Sequence, residues 1–166
     1  MAKPQNANIV PEEFSPSIGI VTALPHEYAA VKSLLRRARE VITKGPGAGH
    51  RAIIGEVRAA DGGTHYIALT LTEPGNNIAA VRATSLLQQF PNINAIVMVG
   101  IAGGVPNPKN ASEHVRLGDI VISDKSGVIQ YDFIKEVDGG ITEHRHPPRA
   151  PSSYLLEGVR LLQAAN

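Results

Sequence analysis

The chain contains no cysteine, which excludes disulfides and thiolate metal sites outright. No apolar stretch reaches the roughly 18 residues of a membrane span. The opening residues, MAKPQNANIVPEEFSPS, lack the apolar core of a signal peptide. Neither sign of charge dominates: 16 Lys and Arg stand against 15 Asp and Glu, a net +1. Nucleic-acid binding would ask for a clustered basic surplus. The six histidines show no metal-ligand spacing, and His144 and His146 flank Arg145 in a proline-rich stretch that reads as solvated loop. No serine occupies a nucleophile elbow, and there is no P-loop. These absences set the expectation of a cytoplasmic protein with no metal, no organic cofactor, no nucleic-acid partner and no membrane partner.

What is present is ordinary globular material. Apolar residues make up 43% and charged residues 19% of 166, enough for one domain with a real core. Residues 1–16 read as a flexible leader and 17–166 as the domain. SIGIVTAL is a β-branched strand. PHEYAAVKSLLRRA follows as a helix opened by Pro25, with Tyr28, Val31, Leu35 and Ala38 at helical spacing. RAIIGEV and THYIALTLT are strands joined by the turn ADGG. EPGNN hands over to a helix whose apolar face is Ala79, Ala83, Leu86, Leu87 and Phe90, with Asn76 or Asn77 as its cap. NAIVMVG has the continuous apolar run of a central strand covered on both faces. DIVIS and GVIQYDF read as further strands, EVDGGITEHRHPPRAPS as a long polar loop, and SSYLLEGVRLLQAAN as a closing helix. Strands and helices in alternation indicate an α/β class with a mostly parallel sheet.

The stretch IVMVGIAGGVPNP places Gly100, Gly103 and Gly104 at the tip of that apolar strand. A dinucleotide site needs its glycines where a strand meets a helix. Pro106 and Pro108 forbid a helix there, and Gly-x-x-Gly-Gly is the wrong spacing, so that reading is rejected. A tight turn is the plain alternative. A ligand loop is the other, because α/β sheets bind ligands beyond the carboxyl ends of their strands. Glu27, Glu73 and the asparagines Asn76 and Asn77 fall at such strand ends too. Taken singly, Glu27 could be a first-turn glutamate favoured by the helix dipole, and the asparagines simple caps.

Four motifs in order, IGIVTALPHE, GNNIAAVRATSLL, IVMVGIAGGV and RLGDIVIS, resemble the nucleoside phosphorylase and nucleosidase superfamily. TALP, GNN, GIAGGVP and GVIQYDF are most similar to the phosphorylase-like domain at the front of large multidomain sensor proteins. The resemblance covers about residues 17 to 160. It implies a three-layer α/β fold with a central, mostly parallel mixed sheet flanked by helices, incomplete at its C-terminus. It implies cleavage of an N-glycosidic bond in a purine nucleoside or adenine nucleotide, a tendency to form homo-oligomers, and fusion to further domains.

By the same resemblance Glu27 binds a ribose hydroxyl and the hydrolytic water. Asn76, Asn77, Gly100, Ile101, Ala102 and Gly103 line the cleft, and Gln130, Tyr131 and Phe133 shape the nucleoside pocket. Phosphorylases of one branch hold phosphate with an arginine and a serine where this chain has Met98 and Ile101, which favours hydrolysis. Arg82 and Arg116 are the charges left that could serve an anion. The family's leaving-group aspartate lies in a later portion, and Asp119, Asp124 and Asp132 do not match it. Binding without cleavage, as in a sensor input domain, and phosphate-dependent cleavage are the alternatives.

Overall fold

The structure is a computed structural model that describes residues 14–42, 51–125, 127, 134–137, 141–144 and 150–165. It divides into two compact units, Met1–Ile101 and Ala102–Asn166. The first unit runs β1 (Ile18–Thr22), α1 (Pro25–Leu34), β2 (Arg36–Ile42), β3 (Arg51–Arg58), β4 (Thr64–Leu71), α2 (Asn76–Gln89) and β5 (Ala95–Met98). The five strands form one sheet in the order β2-β3-β4-β1-β5. β1 lies between β4 and β5 and is parallel to both, while β2, β3 and β4 are joined by antiparallel pairing. The carboxyl ends of β1, β4 and β5 therefore share one edge.

Pleat alternation splits the side chains between two faces. Ile18 and Ile20 of β1, Ile53 of β3 and Ile67 and Leu69 of β4 pack with Val31 and Leu35 at the α1 side. Val21, Ala52, Ile54 and Ala68 point the other way, onto Leu86 and Phe90 of α2 with Ile93 beyond it. Helix, sheet, helix is the three-layer α/β arrangement expected. Each side chain buried as fully as Leu69, which has no exposed surface, contributes about 1.5–3 kcal/mol of transfer free energy.

Three expectations are corrected in this unit. The first helix stops at Leu34 rather than running to Ala38. Leu35 turns extended, with φ −82° and ψ 125°, and Arg36–Ile42 pairs with β3, because a ladder partner outweighs helical spacing. A register shift between Arg36 and Arg39 leaves Arg37 at φ 50°, and its guanidinium pairs with Glu56 at 3.0 Å. Phe14 is buried, meets Tyr66 edge-on at 5.6 Å and carries the Arg37 and Arg39 guanidiniums over its ring. β5 is the sheet's outer strand among the described residues, with Met98 59% exposed, not a strand covered on both faces. Finally, α2 is capped by neither asparagine. Its N-cap is Gly75 at φ 134°, without a side-chain hydrogen bond, and Asn76 and Asn77 are its first two residues.

In the second unit, β6 (Ile134–Val137) and β7 (Ile141–His144) pair antiparallel, which puts Glu136, Val137 and Ile141–His144 of the stretch expected to be a polar loop into strands. α3 (Ser153–Ala164) is the closing helix. The DIVIS segment, 119–123, is not a strand. Ile120 and Val121 are 88% and 68% exposed, and no strand among the described residues offers the segment a ladder to join. Most of the GVIQYDF stretch lies outside the described residues. No helix among the described residues is long and apolar enough to cross a membrane.

Candidate functional site at the carboxyl edge of the sheet

The parallel trio β4-β1-β5 is prolonged past its formal ends by backbone hydrogen bonds. Thr72 N–H donates to the Thr22 carbonyl at 2.8 Å, and Val99 N–H to the Val21 carbonyl at 3.0 Å. The chain leaving β1 thus runs between the chains leaving β4 and β5. Two residues later it turns into α1, whose N-terminus opens over this edge.

Glu27 is the third residue of that helix. Pro25 fixes φ at the first position, where a missing N–H costs nothing. Leu24, the N-cap residue, has no side-chain acceptor to offer. The glutamate supplies what the cap lacks by reaching back: its Oε2 accepts the amides of Ala23 at 3.0 Å and Leu24 at 2.9 Å, the return half of a capping box. Its Oε1 accepts the Ile101 amide, 74 residues on, at 2.8 Å. The side chain is buried, with 7% of the residue exposed.

Three amides on one carboxylate stabilise its charged form. The Ile101 amide is the largest influence holding the Glu27 carboxyl below its ordinary 4.5. Burial opposes it, and the Leu24 and Ala23 amides and nearby His26 add to the lowering. The sign for folding follows from the depressed value. Glu27 contributes stability above the ordinary carboxylate range, and loses it as pH falls through the lowered native value.

The glycine turn approaches the same carboxylate. A Cβ on Gly100 would lie 3.1 Å from Glu27 Oε1 and 3.5 Å from its Cδ. Met98 and Ile101 are 59% and 70% exposed, apolar side chains that offer no anion a partner. The edge also carries buried hydroxyls. Thr22 Oγ1 donates to the Thr70 carbonyl at 3.3 Å, whereas Thr72 Oγ1 is buried without a partner among the described residues.

Of the residues singled out in the sequence, the structure brings Glu27, Gly100 and Ile101 into contact. Asn76 and Asn77 stand exposed where α2 starts beyond β4, and no hydrogen bond among the described residues joins them to Glu27. Glu73 is exposed and acts electrostatically on Arg82, whose partly buried guanidinium is pulled below its ordinary value by desolvation. Ala102 and Gly103 open the second unit, where a Cβ on Gly103 would meet nothing within 4 Å. Arg116 is committed within that unit to Asp119, at 3.3 Å. Gln130, Tyr131 and Phe133 lie outside the described residues. Sequence reasoning missed the backbone partner of Glu27. An amide is invisible in a residue string, although a leucine at the cap followed by glutamate three places on was a signal that the carboxylate would turn back.

A family model, the phosphorylase superfamily, matches residues 17–166, and the chain belongs to that superfamily. It is 33% identical over 162 residues to a nucleotide-binding leucine-rich repeat (NLR)-like protein of Hyaloscypha variabilis, matching 95% of this chain and 15% of that one. It is 30% identical over 126 residues to the ATP nucleosidase Cap17 of Escherichia coli, matching 76% of this chain and 23% of that one. The chain therefore spans less than a quarter of either relative.

Among solved structures it resembles a 5′-methylthioadenosine/S-adenosylhomocysteine nucleosidase of Colwellia psychrerythraea in complex with adenine, at TM-score 0.57 and 25% identity, covering 89% of this chain and 55% of that one. The Neisseria meningitidis enzyme of the same description gives TM-score 0.57 at 19% identity, over 89% and 58%, a likeness of fold.

Proposed function

We propose that this domain binds a purine nucleoside or adenine nucleotide and hydrolyses its N-glycosidic bond, with Glu27 as the catalytic carboxylate. The observation that carries the reading is a buried, ionised carboxylate on the edge where three parallel strands end. In the reaction a water oxygen bonds to the anomeric carbon of the ribose, the carbon–nitrogen bond breaks, and its electron pair leaves with the base. The base takes up one proton and the water loses one, giving free base and a free sugar. Positive charge builds on the ribose in between. A carboxylate held negative in a buried site stabilises that charge without reorganising, and its remaining lone pair can orient the water.

The names borne by the relatives, nucleosidases of methylthioadenosine and of ATP, support hydrolysis, as do Met98 and Ile101 where phosphate-binding side chains would stand. We further propose that the domain works as one module of a longer chain and self-associates.

The test is release of free base by the purified chain from methylthioadenosine, S-adenosylhomocysteine, adenosine, inosine, uridine and ATP, with and without phosphate, beside Glu27→Gln. Release without phosphate, lowered about 10²–10⁴-fold in the variant, is expected. Release only with phosphate would make the domain a phosphorylase. One observation favours a second reading, binding without cleavage: none of Asp119, Asp124 and Asp132 matches the family's leaving-group aspartate, and without an acid for the base a rate term of about 10²–10⁴ is lost. Tight nucleoside binding with no release from any substrate would select that reading.

A further inference from the structure

We propose that Gly100 and the Ile101 amide are positioning residues that seat the Glu27 carboxylate, and that the seat leaves it one vacancy, fit for a single O–H donor of the ligand. The inference rests on the reading of this edge as the ligand site, but its geometry stands separately. Glu27 belongs to a helix on one face of the sheet, and its Oε1 has to reach across the end of β1 to the tip of β5. The Ala23 and Leu24 amides hold only Oε2, which leaves the carboxylate free to swing about that oxygen. The Ile101 amide on Oε1 supplies the third point and fixes its plane.

Gly100 is what permits the approach. Its φ is not among the positive values adopted by Gly62, Gly75, Gly118 and Gly127, so backbone conformation does not call for glycine here. Space does. A Cβ would stand 3.1 Å from Oε1, tighter than an ordinary contact, and 3.5 Å from Cδ and 3.7 Å from Oε2, so a carboxylate held by three amides would have to shift to admit it. The Ile101 amide of the turn is therefore spent on Glu27 and is not available to a ligand.

An ionised carboxylate accepts hydrogen bonds at about four lone-pair positions and donates none. Three are occupied. The fourth takes one hydroxyl or one water, and a phosphate oxygen placed there would meet like charge. Selection of an O–H nucleophile over an anionic one follows from this accounting.

The experiment uses the whole chain with Gly100→Ala. Carboxyl-carbon NMR follows the Glu27 titration, amide hydrogen exchange follows Ile101, and base release gives kcat and KM. In the wild-type chain Glu27 titrates below the ordinary carboxylate range. In Gly100→Ala its titration moves up toward that range, Ile101 exchange rises about tenfold or more, and kcat falls about a hundredfold with a smaller change in KM. An unchanged Glu27 titration and an unchanged Ile101 amide in folded Gly100→Ala would overturn the proposal.

If that variant does not fold, Glu27→Asp decides instead. Its shorter side chain leaves Gly100 alone, and Ile101 must lose its protection; retained protection would equally overturn the seat. A wild-type chain that releases no base would sink the proposed reaction while leaving both NMR readouts to judge the seat.

Discussion

The two units of this molecule use the same kinds of residue to opposite effect. Every buried hydrophobic side chain described lies between Phe14 and Ile93, within the first unit. Beyond Ile101, Leu117, Ile120, Val121, Leu161 and Leu162 are all more than half exposed. Composition does not separate them, since ALTL in β4 and IVIS in 120–123 are similarly apolar. What separates them is a partner. Thr64–Leu71 has β1 on one side and β3 on the other, so its backbone is satisfied and both its faces are covered. The 119–123 segment has neither among the described residues, and apolar surface without backbone pairing does not make a strand.

The largest expected effect tests the packed side of that comparison. Leu69 sits in the middle of β4 with no exposed surface, against Val31 and Leu35. Leu69→Ala should cost about 2–5 kcal/mol, the transfer term plus the cavity, read as a lower urea midpoint by far-ultraviolet circular dichroism. A loss below about 1 kcal/mol would mean that this core is as loose as the second unit.

The parts legible in the sequence were those whose partners stand close along the chain. β3 and β4 are joined by the five residues 59–63 and pair directly, and Ala59 N–H closes the turn on the Gly63 carbonyl. Of the face expected from spacing, Leu86 and Phe90 are buried, whereas Leu87, counted with them, is 43% exposed. Where the partner was remote, pattern misled. Leu35 and Ala38 continue a helical period, yet the open edge of β3 draws Arg36–Ile42 into the sheet. The site divides in the same way. Glu27 and the glycine turn were visible as residue types at strand ends. The Ile101 amide that fixes the carboxylate was not, because every residue except proline carries one and only the fold says which one points where.

A smaller effect, of opposite sign, sharpens the packed side further. Thr72 is 5% exposed and its Oγ1 has no hydrogen-bond partner. Valine keeps the shape and removes a hydroxyl that has no hydrogen-bond partner among the described residues. Thr72→Val should leave stability unchanged or raise it by up to about 1 kcal/mol. A fall of more than about 1 kcal/mol would show that the hydroxyl holds a buried water, and that the edge is more polar inside than its side-chain contacts indicate.

The smallest effect belongs to the second unit. α3 places Leu155, Leu156 and Val159 in half-buried positions, while Leu161 and Leu162 are 66% and 67% exposed. Leucine has a slightly better helix propensity than serine, and at an exposed position little else is lost. Leu161→Ser should therefore change stability by no more than about 0.5 kcal/mol, an order of magnitude less than the same residue type lost from β4. The measurement is the same urea titration, run beside Leu69→Ala so that the two leucines are compared in one experiment. A loss above about 1 kcal/mol at Leu161 would mean that this face is covered in solution, and the contrast between the two units would then lie in what covers each of them rather than in how each is built.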